Sequence, residues 1–243
     1  MNPESAPRAG ARVRWGLPDV FLAWFVGAAA SVILALPFYD PDVSADHQPI
    51  RLYLATILFQ NLGTVLYLIF VSRRKGQGSL GRDFGLVWPF DRLKAAAVLG
   101  WTAAGAGLAF LSGILLRPIE LIVDLDEPAQ DLSRVIERSG TAGRVLLGLC
   151  VVFVAPPVEE LLFRGALLRS LQRRWSAAVA IFVSAAIFAG IHLLDPGARF
   201  VLPALLLLGL VSGYQAVKRG DLARSVLLHL GFNLVAAIGL VVK

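Results

Sequence analysis

Apolar residues are arranged along this chain in long, nearly unbroken blocks separated by short polar stretches, with neither strand alternation nor a one-sided helical stripe. A helix that crosses a bilayer needs about 20 predominantly apolar residues. Blocks at 18–38, 50–71, 95–116, 145–170, 176–194, 201–217 and 225–242 come close to or exceed that length, so the pattern predicts seven transmembrane helices. Composition agrees: 57% of the 243 residues are apolar, only 16% are charged, and the mean hydropathy is +0.70. A soluble core of this length could not hide so much apolar surface. The expected fold class is all-α, a polytopic membrane helical bundle. The first block follows Arg8, Arg12 and Arg14 and contains Ala28, Ala29 and Ala30, as a secretory signal might. It runs on to Phe38, however, so an uncleaved anchor is the better reading.

Charge refines the topology. The net charge of +6 would suit a nucleic-acid binder, but its distribution points to a membrane. With the N-terminus in the cytoplasm, the inner segments hold fifteen Lys and Arg, including Arg73, Arg74, Lys75, Arg173, Arg174, Lys218 and Arg219. The outer segments hold seven, which is the positive-inside asymmetry. No nucleic-acid partner is expected. The outer segments are acidic, with Asp40, Asp42 and Asp46 in one and Glu120, Asp124, Asp126, Glu127, Asp131 and Glu137 in another. In the second, Arg117 to Arg144, a short amphipathic helix through Leu132, Val135 and Ile136 competes with a plain solvated connection, and the connection is slightly favoured. His47 falls in an acidic outer loop and reads as surface. Cys150 is the single cysteine, so no intrachain disulfide can form, and its apolar neighbours assign it no chemistry.

Chemistry concentrates where charge interrupts an apolar block. Glu159 and Glu160 stand side by side before Leu161, Leu162, Phe163, Arg164 and Gly165. A charge at that depth costs a few kcal/mol and normally serves chemistry or transport. Residues four apart share a helical face, so Glu160 and Arg164 should pair, leaving Glu159, rotated by about 100°, unpaired. Phe188 and His192 share a face by the same spacing, as do His229 and Asn233. Pro156 and Pro157 should kink or interrupt the fourth block just before Glu159, and irregular backbone at membrane depth belongs beside protein or a wet cavity. Each feature also has a plainer reading. A Glu and Arg pair can lock helices, and a membrane His can be an interhelical hydrogen bond worth about 1 kcal/mol. Gln60 and Asn61 read more readily as interhelical contacts than as cavity residues, and Gly105, Gly107, Gly209 and Gly213 as sites of close packing.

Taken in order, Glu159-Glu160 with Phe163-Arg164-Gly165, Phe188 with His192, and His229 with Asn233 after Lys218-Arg219-Gly220-Asp221 resemble the CPBP family of intramembrane proteases. That family is also called Abi or type II CAAX protease and includes the Rce1-like enzymes. The resemblance covers Leu146 to Val242; residues 1–144 share only helical, apolar character. It implies a catalytic core at 145–243, integrated in one domain with the N-terminal helices. It further implies that Glu159 and His192 activate a water, that His229 and Asn233 stabilise the oxyanion, and that Glu160, Arg164 and Phe188 support them. The substrate would be a peptide or membrane protein, in the Rce1-like case near a C-terminal lipidated cysteine.

No cofactor is favoured, because no His-Glu-x-x-His element occurs. The alternative is a catalytic zinc held by Glu159, His192 and His229. Rival functions are a non-catalytic scaffold of the bacteriocin-immunity kind and a proton-coupled transporter, the latter disfavoured by the lack of an internal inverted repeat. High Ala, Leu, Arg and Gly content looks prokaryotic, which would place the chain in a cytoplasmic membrane. One feature opposes a single site. Counted at 1.5 Å per residue from the inner ends, Glu159 and His192 lie about 18 to 24 Å deep but His229 only about 6 to 8 Å. Tilted helices, or a turn at Arg219 to Arg224 that dips inward, would close the gap.

Overall fold

The computed structural model describes residues 13–44, 47–122, 135, 138–194 and 201–242. All seven apolar blocks are helical. In chain order the helices are α1 (Leu17–Ala35, extended by a 3-10 turn Leu36–Phe38), α2 (Ile50–Lys75), α3 (Leu80–Phe84), α4 (Pro89–Arg92) and α5 (Ala95–Ile122). Then follow α6 (Thr141–Gln172), α7 (Ala177–Ile191, ending in a 3-10 turn His192–Leu194), α8 (Leu202–Arg219) and α9 (Ala223–Val242). The short helices α3 and α4 carry too few residues to register as apolar blocks. Among the described residues five helices are long and apolar enough to cross a membrane: Leu17–Phe38, Ile50–Lys75, Ala95–Leu116, Thr141–Gln172 and Ala177–Leu194. Helix α8 ends on the charged Lys218 and Arg219, and the apolar part of α9, Ala223–Gly239, is shorter. Most of the Arg117 to Arg144 connection, with Leu132 and Ile136, lies outside the described residues; Val135 is buried.

Large apolar side chains face outward on several helices: Phe25 and Val32 of α1, Leu99 and Phe110 of α5, Phe182 of α7. That is what hydrocarbon rather than water accepts, and it makes this an integral membrane protein. The buried pair Glu160 and Arg164 lies instead on α6, which touches α1, α2, α3, α7, α8 and α9. Around it α1 pairs with α2, α5 with α9, and α7 with α8. Small residues set the pairing. A side chain at Gly105 would strike the carbonyl of Leu228, and one at Gly231 the carbonyl of Thr102, so α5 and α9 cross with backbones in direct apposition. Gly209 and Gly213 pack against Ala185 and Ile181 as expected, whereas Gly107 meets nothing. Its expected packing role is not borne out, because it falls on the open face of α5.

The end of the bundle carrying the basic residues is closed by a dense polar staple. Asp83 of α3, buried, accepts from Ser72 Oγ at 2.6 Å, from the Gln77 amide at 2.9 Å and from Trp15 Nε1 at 3.3 Å. Arg173 stacks 4.2 Å over the Trp15 ring, and Lys75 pairs with Asp19. Helix α3 sits on α6 where Gly165 leaves room; a Cβ there would lie 2.8 Å from the Phe84 carbonyl. Gly85 then turns with φ of 79°, and its carbonyl accepts from the Leu222 amide at 2.9 Å. Arg169 donates to the carbonyls of Gly220 and Asp83. Leu222, Ala223 and Ser225 are consequently fully buried. Leu222 and Ala223, just after the exposed Arg219 and Gly220, are thus covered by α3, and α9 brings His229 to within 3.5 Å of Glu159 whatever their expected depths.

Candidate active site

Helix α6 is not a regular α-helix, and the sequence explains why. Pro156 and Pro157 have no amide hydrogens to give the preceding turn. The chain widens into a π-helical stretch, Cys150–Val154, and the prolines occupy the first turn of the following α segment, Ala155–Glu160. The expected interruption does not occur, because the helix absorbs the prolines by widening and runs through to Gln172. Widening has a local cost. The Ala155 amide bonds the Cys150 carbonyl five residues back, so the Val151 carbonyl would next look to Pro156, which has no donor. Asn233 of α9 fills that place, with Nδ2 2.9 Å from Val151 O. One amide hydrogen of Asn233 is thereby spent on the backbone and one remains.

Four residues beyond the prolines the two acids diverge. Glu160 is completely buried, and its Oε1 lies 3.2 Å from Arg164 Nη1, itself 1% exposed, the pairing that i,i+4 spacing predicts. The same oxygen also lies 2.9 Å from His229 Nδ1, so Glu160 is more than the structural partner of an arginine. Glu159, 28% exposed, places Oε2 at 3.5 Å from Nε2 of the same imidazole. It is therefore not unpaired: His229 bridges both carboxylates. Intrahelical spacing cannot reveal this, because the bridging ring comes from α9.

The bridge constrains protons. Glu160 Oε1 can only accept from His229, so Nδ1 carries a hydrogen. Nε2 faces the second carboxyl, Glu159 Oε2, across 3.5 Å, a contact too long for a strong hydrogen bond. The Arg164 guanidinium stacks 4.3 Å over the Phe188 ring, but its Nε and Nη2, like Glu160 Oε2, have no hydrogen-bond partner among the described residues. This is a buried charge pair held by proximity and a ring face rather than by saturated hydrogen bonds.

Phe188, fully buried, organises the second layer. Its ring meets His229 edge-on at 5.5 Å and His192 at 5.1 Å. His192 Nδ1 donates to the Phe188 carbonyl at 2.8 Å, which leaves Nε2 as the ring's acceptor. Glu159, Glu160, Arg164 and His229 are thus in direct contact. His192 joins them only across Phe188, and Asn233 through the backbone of α6. Among the described residues no group of three or more His, Cys, Asp or Glu side chains is spaced to hold a metal ion. Cys150 is a free, half-buried thiol, and His47 is exposed with Nδ1 beside Ser44 Oγ.

Beside Glu159 lies a cavity of about 110 Å³, space for several waters or a peptide group. Its polar lining comes from Glu159 and, on α2, from Gln60, Asn61 and Thr64; Trp24, Phe163 and Ile191 are among its apolar walls. The reading of Gln60 and Asn61 as interhelical contacts is corrected here: both line the cavity. Their signal in the sequence is that three polar residues within five positions interrupt an otherwise apolar span.

Against known proteins, the family model described as type II CAAX prenyl endopeptidase Rce1-like matches residues 141–235, from the start of α6 into the last turns of α9. No curated protein and no solved structure matches the chain. Over that segment, less than half of the chain, the protein is similar to a family of endopeptidases.

Proposed function

We propose that this chain is an intramembrane endopeptidase in which Glu159 is the general base. The substrate carbonyl enters the cavity beside Glu159. Glu159 takes a proton from a water oriented by the free Nε2 of His192, and the hydroxide attacks the carbonyl carbon. The oxyanion is met by His229 Nε2–H and by the remaining amide hydrogen of Asn233. Collapse breaks the C–N bond, and the proton held by Glu159 passes to the leaving amine, so that one water and one peptide bond become an acid and an amine. Glu160, paired with Arg164 and accepting from Nδ1, holds the His229 ring with Nε2 toward Glu159. The substrate is a peptide or membrane protein, and the family description makes a prenylated C-terminal segment the first choice. No metal enters these steps. The observation that carries the proposal is the contact of Glu159 with His229, within an endopeptidase-family segment and next to a polar-lined cavity.

The test uses the full chain reconstituted in nanodiscs and an internally quenched peptide ending in farnesylated Cys-Val-Ile-Met. The expected result is cleavage that persists in chelator and falls to background in Glu159→Ala and in His192→Ala, both still folded. Full activity in either variant refutes the assignment. Loss in chelator with recovery on zinc would move Glu159, His192 and His229 to a metal site.

A further inference from the structure

Segment 141–235 holds every residue assigned above to the reaction, yet it does not enclose the cavity in which that reaction would run. One wall is α2, which lies outside the matched segment. There Gln60 is exposed, and its side-chain amide has no hydrogen-bond partner among the described residues. Asn61 donates Nδ2 to the Ile57 carbonyl at 2.7 Å, and Thr64 is buried one turn further along. An unpartnered carboxamide in the middle of an apolar span is costly in hydrocarbon, where a helix normally turns such a group to a partner. Gln60 instead faces the space that Glu159 faces.

The chemistry of that space identifies what would pair with it. A peptide drawn toward Glu159 brings backbone N–H and C=O groups into surroundings where water is scarce, and each must be satisfied. A carboxamide offers one acceptor and two donors on a planar group, the complement of a peptide unit, and it does so without charge. The apolar walls at Trp24, Phe163 and Ile191 can take side chains but supply no hydrogen bonds to the backbone. We infer that Gln60 of α2 is a substrate-binding residue, pairing with the backbone of the peptide beside the scissile bond and laying it in extended form between α2 and α6. The N-terminal helices are therefore part of the enzyme's recognition surface rather than only its anchor.

This rests on the endopeptidase reading, and the experiment separates the two. In nanodiscs, with the same farnesylated peptide, KM and kcat are measured for Gln60→Leu, with lipid-facing Leu66→Ala as the control. The expected result is a KM raised about tenfold, the weight of one good hydrogen-bonded pair, with kcat within about twofold and an unchanged melting temperature. The control should match the parent chain. An unchanged KM, or a loss confined to kcat, overturns the inference. Binding of the same peptide, dye-labelled, is followed by anisotropy in Glu159→Ala. Retained binding that weakens about tenfold when Gln60→Leu is added supports the inference even if the parent chain cleaves nothing, in which case only the endopeptidase reading falls. Binding that is absent, or indifferent to Gln60→Leu, overturns it.

Discussion

Two buried carboxylates in this molecule are treated in opposite ways. Asp83, at the basic end, is saturated: a serine hydroxyl, a backbone amide and an indole N–H converge on its two oxygens. Glu160, in the middle of α6, is starved: one oxygen serves both Arg164 and His229, and the other has no partner among the described residues. A saturated acid is an architectural joint, because every donor it satisfies belongs to a segment that must stay put. An acid left short of hydrogen bonds instead holds an imidazole that also faces a half-open glutamate. On the proposed mechanism, the contrast separates a buried charge that holds the fold from one that prepares a reaction.

Substitutions can break that comparison. The largest effect on turnover, short of removing Glu159 itself, is expected from Glu160→Gln. It keeps the shape but weakens the anchor of His229 Nδ1 and the charge facing Arg164. A fall in kcat of about a hundredfold with KM nearly constant is expected, as for loss of a group that orients a catalytic imidazole. Unchanged kcat would demote Glu160 to the status of Asp83. Next comes Asp83→Ala, which strands three donors, those of Trp15 and Ser72 buried. It should lower stability by about 2 to 3 kcal/mol, read as a lower melting temperature, while kcat per folded molecule stays near that of the parent. A selective loss of kcat would mean the staple also tunes the site. The smallest effect belongs to a pair of glycines on α5. Gly105→Ala drives a methyl into the Leu228 carbonyl and should cost about 1 to 3 kcal/mol, whereas Gly107→Ala, facing open space, should shift the melting temperature hardly at all.

The helices were legible because bilayer thickness imposes a length that hydropathy reveals directly. Within one helix the chemistry was legible too: Glu160 with Arg164, and Phe188 under His192, follow from four-residue spacing. What crossed between helices was not. That one imidazole touches both Glu159 and Glu160 depends on the buried turn at Leu222 and on the backbone contact at Gly231, and neither has a periodic signature. The five-residue helix α3, which covers that turn, is too short and too mixed in character to stand out. Gln60 and Asn61 were visible as polar residues in an apolar span, but their facing depends on how α2 is rotated against α6.

Widening at Cys150–Val154 also fixes the phase of the two acids that follow it, before α6 widens again at Leu161–Leu168. A π-helical stretch accommodates an additional residue per turn, so the segment bearing the acids is rotated with respect to the segment before it. Excising a single residue from that stretch would restore ordinary winding with Glu159 near its present phase, whereas winding all the residues present as regular α-helix would swing Glu159 by about 100°, out of register with α9. Two adjacent prolines, with no side chain in the chemistry, thereby act as the compass needle by which this helix is aimed.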